Sequence, residues 1–223
     1  MRNLKKVFEN RKIEYDKLLK YGFVSKKNVY VFEKDIVENN FRVIIEISKI
    51  KQISKVLDLA TKDEYILADI EDAKGDFVSK IKEEYETILH DIIETCTIID
   101  VFRSNQAKKV IQYVKEKYND DLEYLWKKFP NNAIWRNKSN NKWYGVLLVI
   151  PKSKLGIESD DTVEIIDLRY PKEHITEIVD HEQIFTGYHM NKHSWITIKL
   201  DDTVKIEKIY QLIDRSYELS LEK

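Results

Sequence analysis

Twice along this 223-residue chain, apolar residues pass from helical spacing into short β-branched runs and back again. That double alternation restricts the chain to architectures mixing helices with sheet. In the first half, Leu4, Val7, Phe8, Tyr15, Leu18 and Leu19 recur at roughly helical intervals and predict a helix from Leu4 to Leu19, broken by Tyr21-Gly22. Residues 28–36 and 41–47 are β-branched clusters around Glu38-Asn39-Asn40, the pattern of a hairpin, and residues 52–57 offer a third strand. Gly75-Asp76 precedes a strong helical pattern over residues 77–94, with Asp76 as candidate N-cap. In the second half, Ser104 reads as the N-cap of a helix whose apolar face holds Val110, Ile111, Val114 and Tyr118. Residues 133–136 and 142–150 read as a hairpin closed by Asn137-Lys138-Ser139-Asn140-Asn141. A strand over residues 162–168, a short helix opened by Pro171, a strand over 195–200 and a helix over 205–220 complete the outline.

Punctuation is sparse, with five Gly and three Pro, so a disordered or linker-rich chain is excluded. Residues 95–103 mark a candidate boundary without Gly or Pro, giving two domains, 1–97 and 98–223. A formal net charge of −1 provides no global attraction to nucleic acid or anionic membrane, so an anionic partner requires a local basic surface. The single Cys96 excludes an internal disulfide framework and a Cys-clustered zinc site. No run approaches the roughly 20 apolar residues that span a bilayer, and Met1-Arg2-Asn3-Leu4-Lys5-Lys6 lacks the apolar stretch of a signal peptide. The expectation is a cytoplasmic protein without membrane contact.

The densest mixture of chemistry-bearing side chains is Gly187-Tyr188-His189-Met190-Asn191-Lys192-His193-Ser194-Trp195. With Ala133-Ile134-Trp135-Arg136, Asn141-Lys142-Trp143-Tyr144-Gly145, Val149 to Gly156 and Leu212 to Tyr217, it falls in an order that resembles the MmcQ/YjbR-like proteins. The resemblance covers a little over half the chain, from about Ser104 onward, and Tyr188 to Lys192 followed by Trp195 is its most specific part. Two positions depart from the family pattern. Arg169 stands where members usually place Lys, two residues before the Pro of the short helix. Asp201-Asp202 stands where the turn usually carries Asp-Gly. The resemblance implies an α+β fold with a compact antiparallel sheet flanked by helices, here preceded by a smaller α+β domain. It also implies a paired-wing mode of DNA binding and brings no enzymatic activity with it.

Independently of any family, residues 124–155 hold no Asp or Glu but carry Lys127, Lys128, Arg136, Lys138, Lys142, Lys152 and Lys154 among Tyr124, Trp126, Trp135, Trp143 and Tyr144. Such a segment can neutralise phosphates and stack on bases. The bland reading is that Trp residues are core and loop lysines are solvated. The leading expectation is a non-enzymatic nucleic-acid binder. Arg136, Lys138, Lys142, Arg169, Asn191 and Lys192 would contact phosphate, while Trp143, His189 and His193 would complete the surface.

A second reading is a protein-interaction or adaptor module in which the same sheet binds a protein or peptide and the first domain supplies the specificity or the partner contact. A third is a small-ligand binder or enzyme using Tyr188, His189 and Lys192 in a pocket. His189 and His193 stand four apart, yet no third ligand lies near them in sequence, so no metal or other cofactor is expected. Cys96 sits among Thr and Ile with no activating neighbour. No nucleophile elbow, P-loop or dinucleotide fingerprint occurs. The oligomeric state is not readable.

Overall fold

The computed structural model describes residues 1–70, 72–126 and 128–222, and Lys127 of the basic stretch lies outside them. The chain forms two compact units, residues 1–100 and 101–223. The α+β class with antiparallel sheets is as the resemblance implies.

The first unit holds β1 (Arg2–Asn3), β2 (Arg11–Ile13), α1 (Tyr15–Tyr21), β3 (Val24–Lys26), β4 (Val29–Ile36), β5 (Phe41–Ile47), β6 (Gln52–Asp58), α2 (Asp76–Cys96) and β7 (Thr97–Ile99). Its five-stranded sheet runs β1-β6-β5-β4-β3, and β2 pairs separately with β7. In α2, Ile81, Tyr85, Ile88, Leu89, Ile92 and Cys96 recur on one side and meet Val43, Ile45, Ile47 and Val56 of the sheet. The Tyr85 hydroxyl is held within that core at 2.6 Å from the Ser54 hydroxyl.

The helix expected from Leu4 is confined to α1. Leu4 and Phe8 are buried from turns, while Arg11–Ile13 is claimed as a strand by β7. The Arg11 guanidinium fixes that pairing by donating to the Thr97 hydroxyl (3.0 Å) and to Glu94 (2.7 Å). Long-range pairing has overridden a local periodicity. Asp76 is the first residue of α2 and not its cap, which is Gly75 at φ 133°.

The second unit holds α3 (Asn105–Tyr118), β8 (Asn132–Arg136), β9 (Trp143–Pro151), β10 (Thr162–Arg169), α4 (Ile175–Ile178), β11 (Ile184–Thr186), β12 (Trp195–Lys199) and α5 (Ile206–Leu221). Ser104 caps α3, its hydroxyl accepting from the Ala107 amide. The antiparallel sheet runs β11-β12-β10-β9-β8. Leu147, Ile166, Leu168, Ile196 and Ile198 point to one face and pack with Val110 and Val114 of α3 and Ile209 and Ile213 of α5. The opposite residues, Ile134, Val146, Leu148, Ile165 and Trp195, form a second cluster with Trp126, Trp143, Leu155, Tyr188 and Met190. No residue of α3, α4 or α5 belongs to that second cluster among the described residues, so this face is covered by loops.

A β-bulge sorts the aromatic residues between the two faces. Trp135 pairs with Gly145 and Arg136 with Trp143, which leaves Tyr144 as the extra residue. Tyr144 turns to the helical face, where its hydroxyl donates to Asp120 (2.8 Å), and Trp143 turns to the loop-covered face. Gly145 is required by contact, because a Cβ there would lie 2.7 Å from the Trp135 ring.

Candidate functional site

The alternation of β10 places Asp167 and Arg169 on the loop-covered face, opposite Thr197 and Trp195 of β12. The Arg169 guanidinium lies 4.9 Å above the centre of the Trp195 ring, a cation–π contact. Its Nε donates to the Trp143 carbonyl, and the Arg169 main-chain amide donates to the Ser216 hydroxyl (2.8 Å). The Trp143 ring in turn meets Trp126 edge-on at 5.7 Å. Burial lowers the Arg169 pKa, and no carboxylate raises it in compensation. The result is a half-buried, fixed cation without a counter-ion among the described residues.

Asp167 is wholly buried. The Thr197 hydroxyl donates to its Oδ1, and Oδ2 has no hydrogen-bond partner. Burial pushes its pKa up to about 6; the Thr197 hydroxyl and the nearby amides of His189 and Tyr188 pull it down. The Tyr188 amide itself donates to the Thr197 hydroxyl (2.9 Å). The buried acid and its threonine therefore sit under the start of the loop of residues 187–194. Sequence reasoning passed over Asp167. Its signal was a lone acid at an inward position of the apolar run Ile165-Ile166-Asp167-Leu168.

His189, Asn191, Lys192 and His193 are exposed on that loop. The Asn191 side chain shapes it by accepting from the His193 amide (2.9 Å), and the Asn191 carbonyl accepts from Ser194 (3.0 Å). The rings of Tyr188 and His189 lie 4.1 Å apart. Arg169, Trp143 and this loop thus share the loop-covered side of one sheet.

The hairpin cations stand differently. Arg136 pairs with Glu123 (3.1 Å), Lys138 pairs with Asp120 (3.0 Å), and the Lys142 ammonium donates to the Glu222 carbonyl. The hairpin tip is fastened to α5, with Asn137 donating to the Ser220 hydroxyl (3.1 Å) and Asn140 to the Ser220 carbonyl (2.7 Å). Trp135 and Trp195 are core residues, whereas Trp126 and Trp143 are half-buried. Residues 101–223 contain 20 Lys and Arg against 19 Asp and Glu, so any anion recognition there is local. No group of three or more His, Cys, Asp or Glu among the described residues is arranged to hold a metal ion. No helix among them is long and apolar enough to cross a membrane.

The sequence profile of the YjbR family matches residues 116–219, the segment that builds this sheet and α5. The uncharacterized protein YyaQ of Bacillus subtilis is 39% identical over 111 residues, which is 50% of this chain and 94% of that protein. The chain belongs to the YjbR family. A crystal structure of a Pseudomonas syringae protein is similar at 36% identity, covering 51% of this chain and 97% of that one, with a TM-score of 0.49. The DUF419 domain protein DR2400 of Deinococcus radiodurans is similar at 21% identity over 52% of this chain and 79% of its own, with a TM-score of 0.41. Within the family segment, Trp143, Arg169, His189, Asn191, Lys192 and His193 lie on or beside the loop-covered face described above.

Proposed function

We propose that the YjbR unit is a non-enzymatic nucleic-acid-binding module whose contact surface is the loop-covered face of its sheet. The observation that carries this reading is Arg169. Its guanidinium is held rigidly over Trp195, partly desolvated, and without a carboxylate partner. A fixed and unpaired guanidinium is suited to a phosphate oxygen, because Arg recognises phosphate through parallel N–H donors. Lys192, His189, Asn191 and His193 would extend the contact along the strand, and Trp143 would offer an edge to a base. Arg136, Lys138 and Lys142 would have to exchange partners within the chain for phosphates, so they would contribute less.

The test is fluorescence anisotropy of labelled single- and double-stranded DNA over a salt series. Binding at micromolar concentration that weakens steeply with salt supports the reading. Absence of binding at low salt removes it.

The alternative of a protein partner for the first unit is supported by its exposed Ile66, Leu67, Ile70 and Phe77. Binding of a protein that resists nuclease treatment and is lost in Phe77→Glu would favour it.

A further inference from the structure

A cleft of about 200 Å³ opens beside the loop of residues 187–194, lined by Lys154, Leu155, His181, Phe185, Thr186, Gly187, Tyr188 and Lys192. Its lining contains three basic side chains and no acid. Lys154 and Lys192 have no ion-pair or hydrogen-bond partner among the described residues, whereas the neighbouring Lys152 is engaged by Asp161 (3.3 Å). Two unpaired ammonium groups line one small concavity, and a bound anion would give both a charge partner.

The backbone is shaped for this opening. His181 adopts φ 60°, a left-handed conformation that costs a side-chain-bearing residue free energy. The turn is held by Asp180, whose carboxylate accepts from the amides of Glu182, Gln183 and Ile184 at 2.8–2.9 Å. Those amides help keep the Asp180 pKa below the usual carboxylate range, against its partial burial. Of the two acids that flank His181, Asp180 is thus occupied and Glu182 is exposed outside the cleft lining, while the imidazole of His181 sits edge-on to Phe185 at the cleft. At Gly187, also in the lining, a Cβ would lie 2.9 Å from the Trp195 Cβ. Glycine there lets the loop lie against β12 with its main chain lining the cleft.

We propose that this cleft binds a phosphate monoester, with Lys154 and Lys192 as its charge partners and His181 as a further donor. A monoester carries about −1.5 to −2 charge near neutral pH and presents three acceptor oxygens, which matches a small site walled by separate donors. Leu155, Phe185 and Tyr188 provide an apolar flank for the body of the ester. The phosphate comes either from the end of a nucleic-acid strand or from a small phosphorylated molecule. This site shares Lys192 with the proposed nucleic-acid surface but does not include Arg169, and it does not require the nucleic-acid reading to hold.

The experiment is a titration of the full chain with phenyl phosphate, followed by amide chemical shifts. A parallel anisotropy comparison uses 5′-phosphorylated and 5′-hydroxyl oligonucleotides of one sequence. Saturable shifts centred on Gly187 and Lys192 are expected, weakened about tenfold or more in the Lys154→Ala/Lys192→Ala double variant. Arg169→Ala should leave them unchanged, so failure of the DNA reading and failure of this one are separable. Both lysines are exposed, so the double variant is expected to fold as the parent does. If the 5′-phosphate strengthens oligonucleotide binding, the source is a strand end. If phenyl phosphate binds and the two oligonucleotides do not differ, the source is a small molecule. Absence of saturable shifts, or shifts that persist in the double variant, overturns the proposal.

Discussion

The hairpin of residues 132–151 and the loop of residues 187–194 are both basic and aromatic in sequence, yet their charges end differently. In the hairpin, Arg136 and Lys138 meet Glu123 and Asp120, and Lys142 is bonded to the Glu222 carbonyl. On the loop side, Lys192 and the neighbouring Arg169 meet no carboxylate among the described residues. Cationic density along a chain therefore measures what was placed there and not what remains free for a partner. The hairpin cations help hold the fold, and the loop-side cations are left to act outward.

The largest effect expected from testing this contrast is at the base of the loop. Asp167 titrates near 6 in the folded chain, above its usual value near 4 when unfolded. The folded state therefore holds the proton more tightly. Its stabilising contribution is present at low pH and lost as pH climbs from about 4 to about 6, by roughly 3 kcal/mol. Asp167→Asn removes that dependence. In urea unfolding, the stability of the variant relative to the parent should rise by about that amount between pH 4 and pH 7. A constant difference would mean that the acid is not buried as described.

Next comes Gly145→Ala, which forces a Cβ against the Trp135 ring. A loss of about 2 kcal/mol in the same assay is expected, as for other overpacked sites. A neutral result would show that the hairpin is looser than its contacts imply.

The third test compares Arg169→Ala with Arg136→Ala in DNA anisotropy. Arg169→Ala should weaken binding about tenfold and reduce the salt slope, and Arg136→Ala should change it less than about threefold. The reverse ranking would return the contact surface to the hairpin.

The smallest effects form a crossed pair. Lys138→Ala strips the nearly buried Asp120 of its cation and should cost about 1 kcal/mol of stability with little change in affinity. Lys192→Ala should leave stability within about 0.5 kcal/mol and reduce affinity a few-fold. If both variants moved the same quantity, the two regions would not differ in role.

Elements whose signal is local were legible in the sequence. The Ser104 cap, the hairpin of β8 and β9, the β10 and β12 runs and the apolar stripe of α5 all follow from spacing that survives packing. The helix over residues 4–19 was misread because β7, more than 80 residues further on, claims Arg11–Ile13 as a strand. The three residues of β11 are too short to announce themselves. The charge pairings were hidden for the same reason: Asp120 and Glu123 precede the basic run in sequence and return to it only through the fold. Trp135 is buried on the helical face, whereas Trp195 is buried on the loop-covered face beside half-buried Trp126 and Trp143, so burial follows packing that no local spacing announces, and one extra residue decides the face of Trp143.

That extra residue has a consequence for how the family segment can vary. Trp143 and Tyr144 are adjacent in the chain yet belong to opposite surfaces, and Gly145 beside them has no room for a side chain. Deleting one position here would transpose everything that follows along β9, exchanging what faces the helices with what faces the loops. Substitutions can accumulate on either surface separately, but insertions and deletions are steered to connections such as residues 158–160, which lie outside the strand ladders. The length of this short stretch is therefore inherited more strictly than its composition.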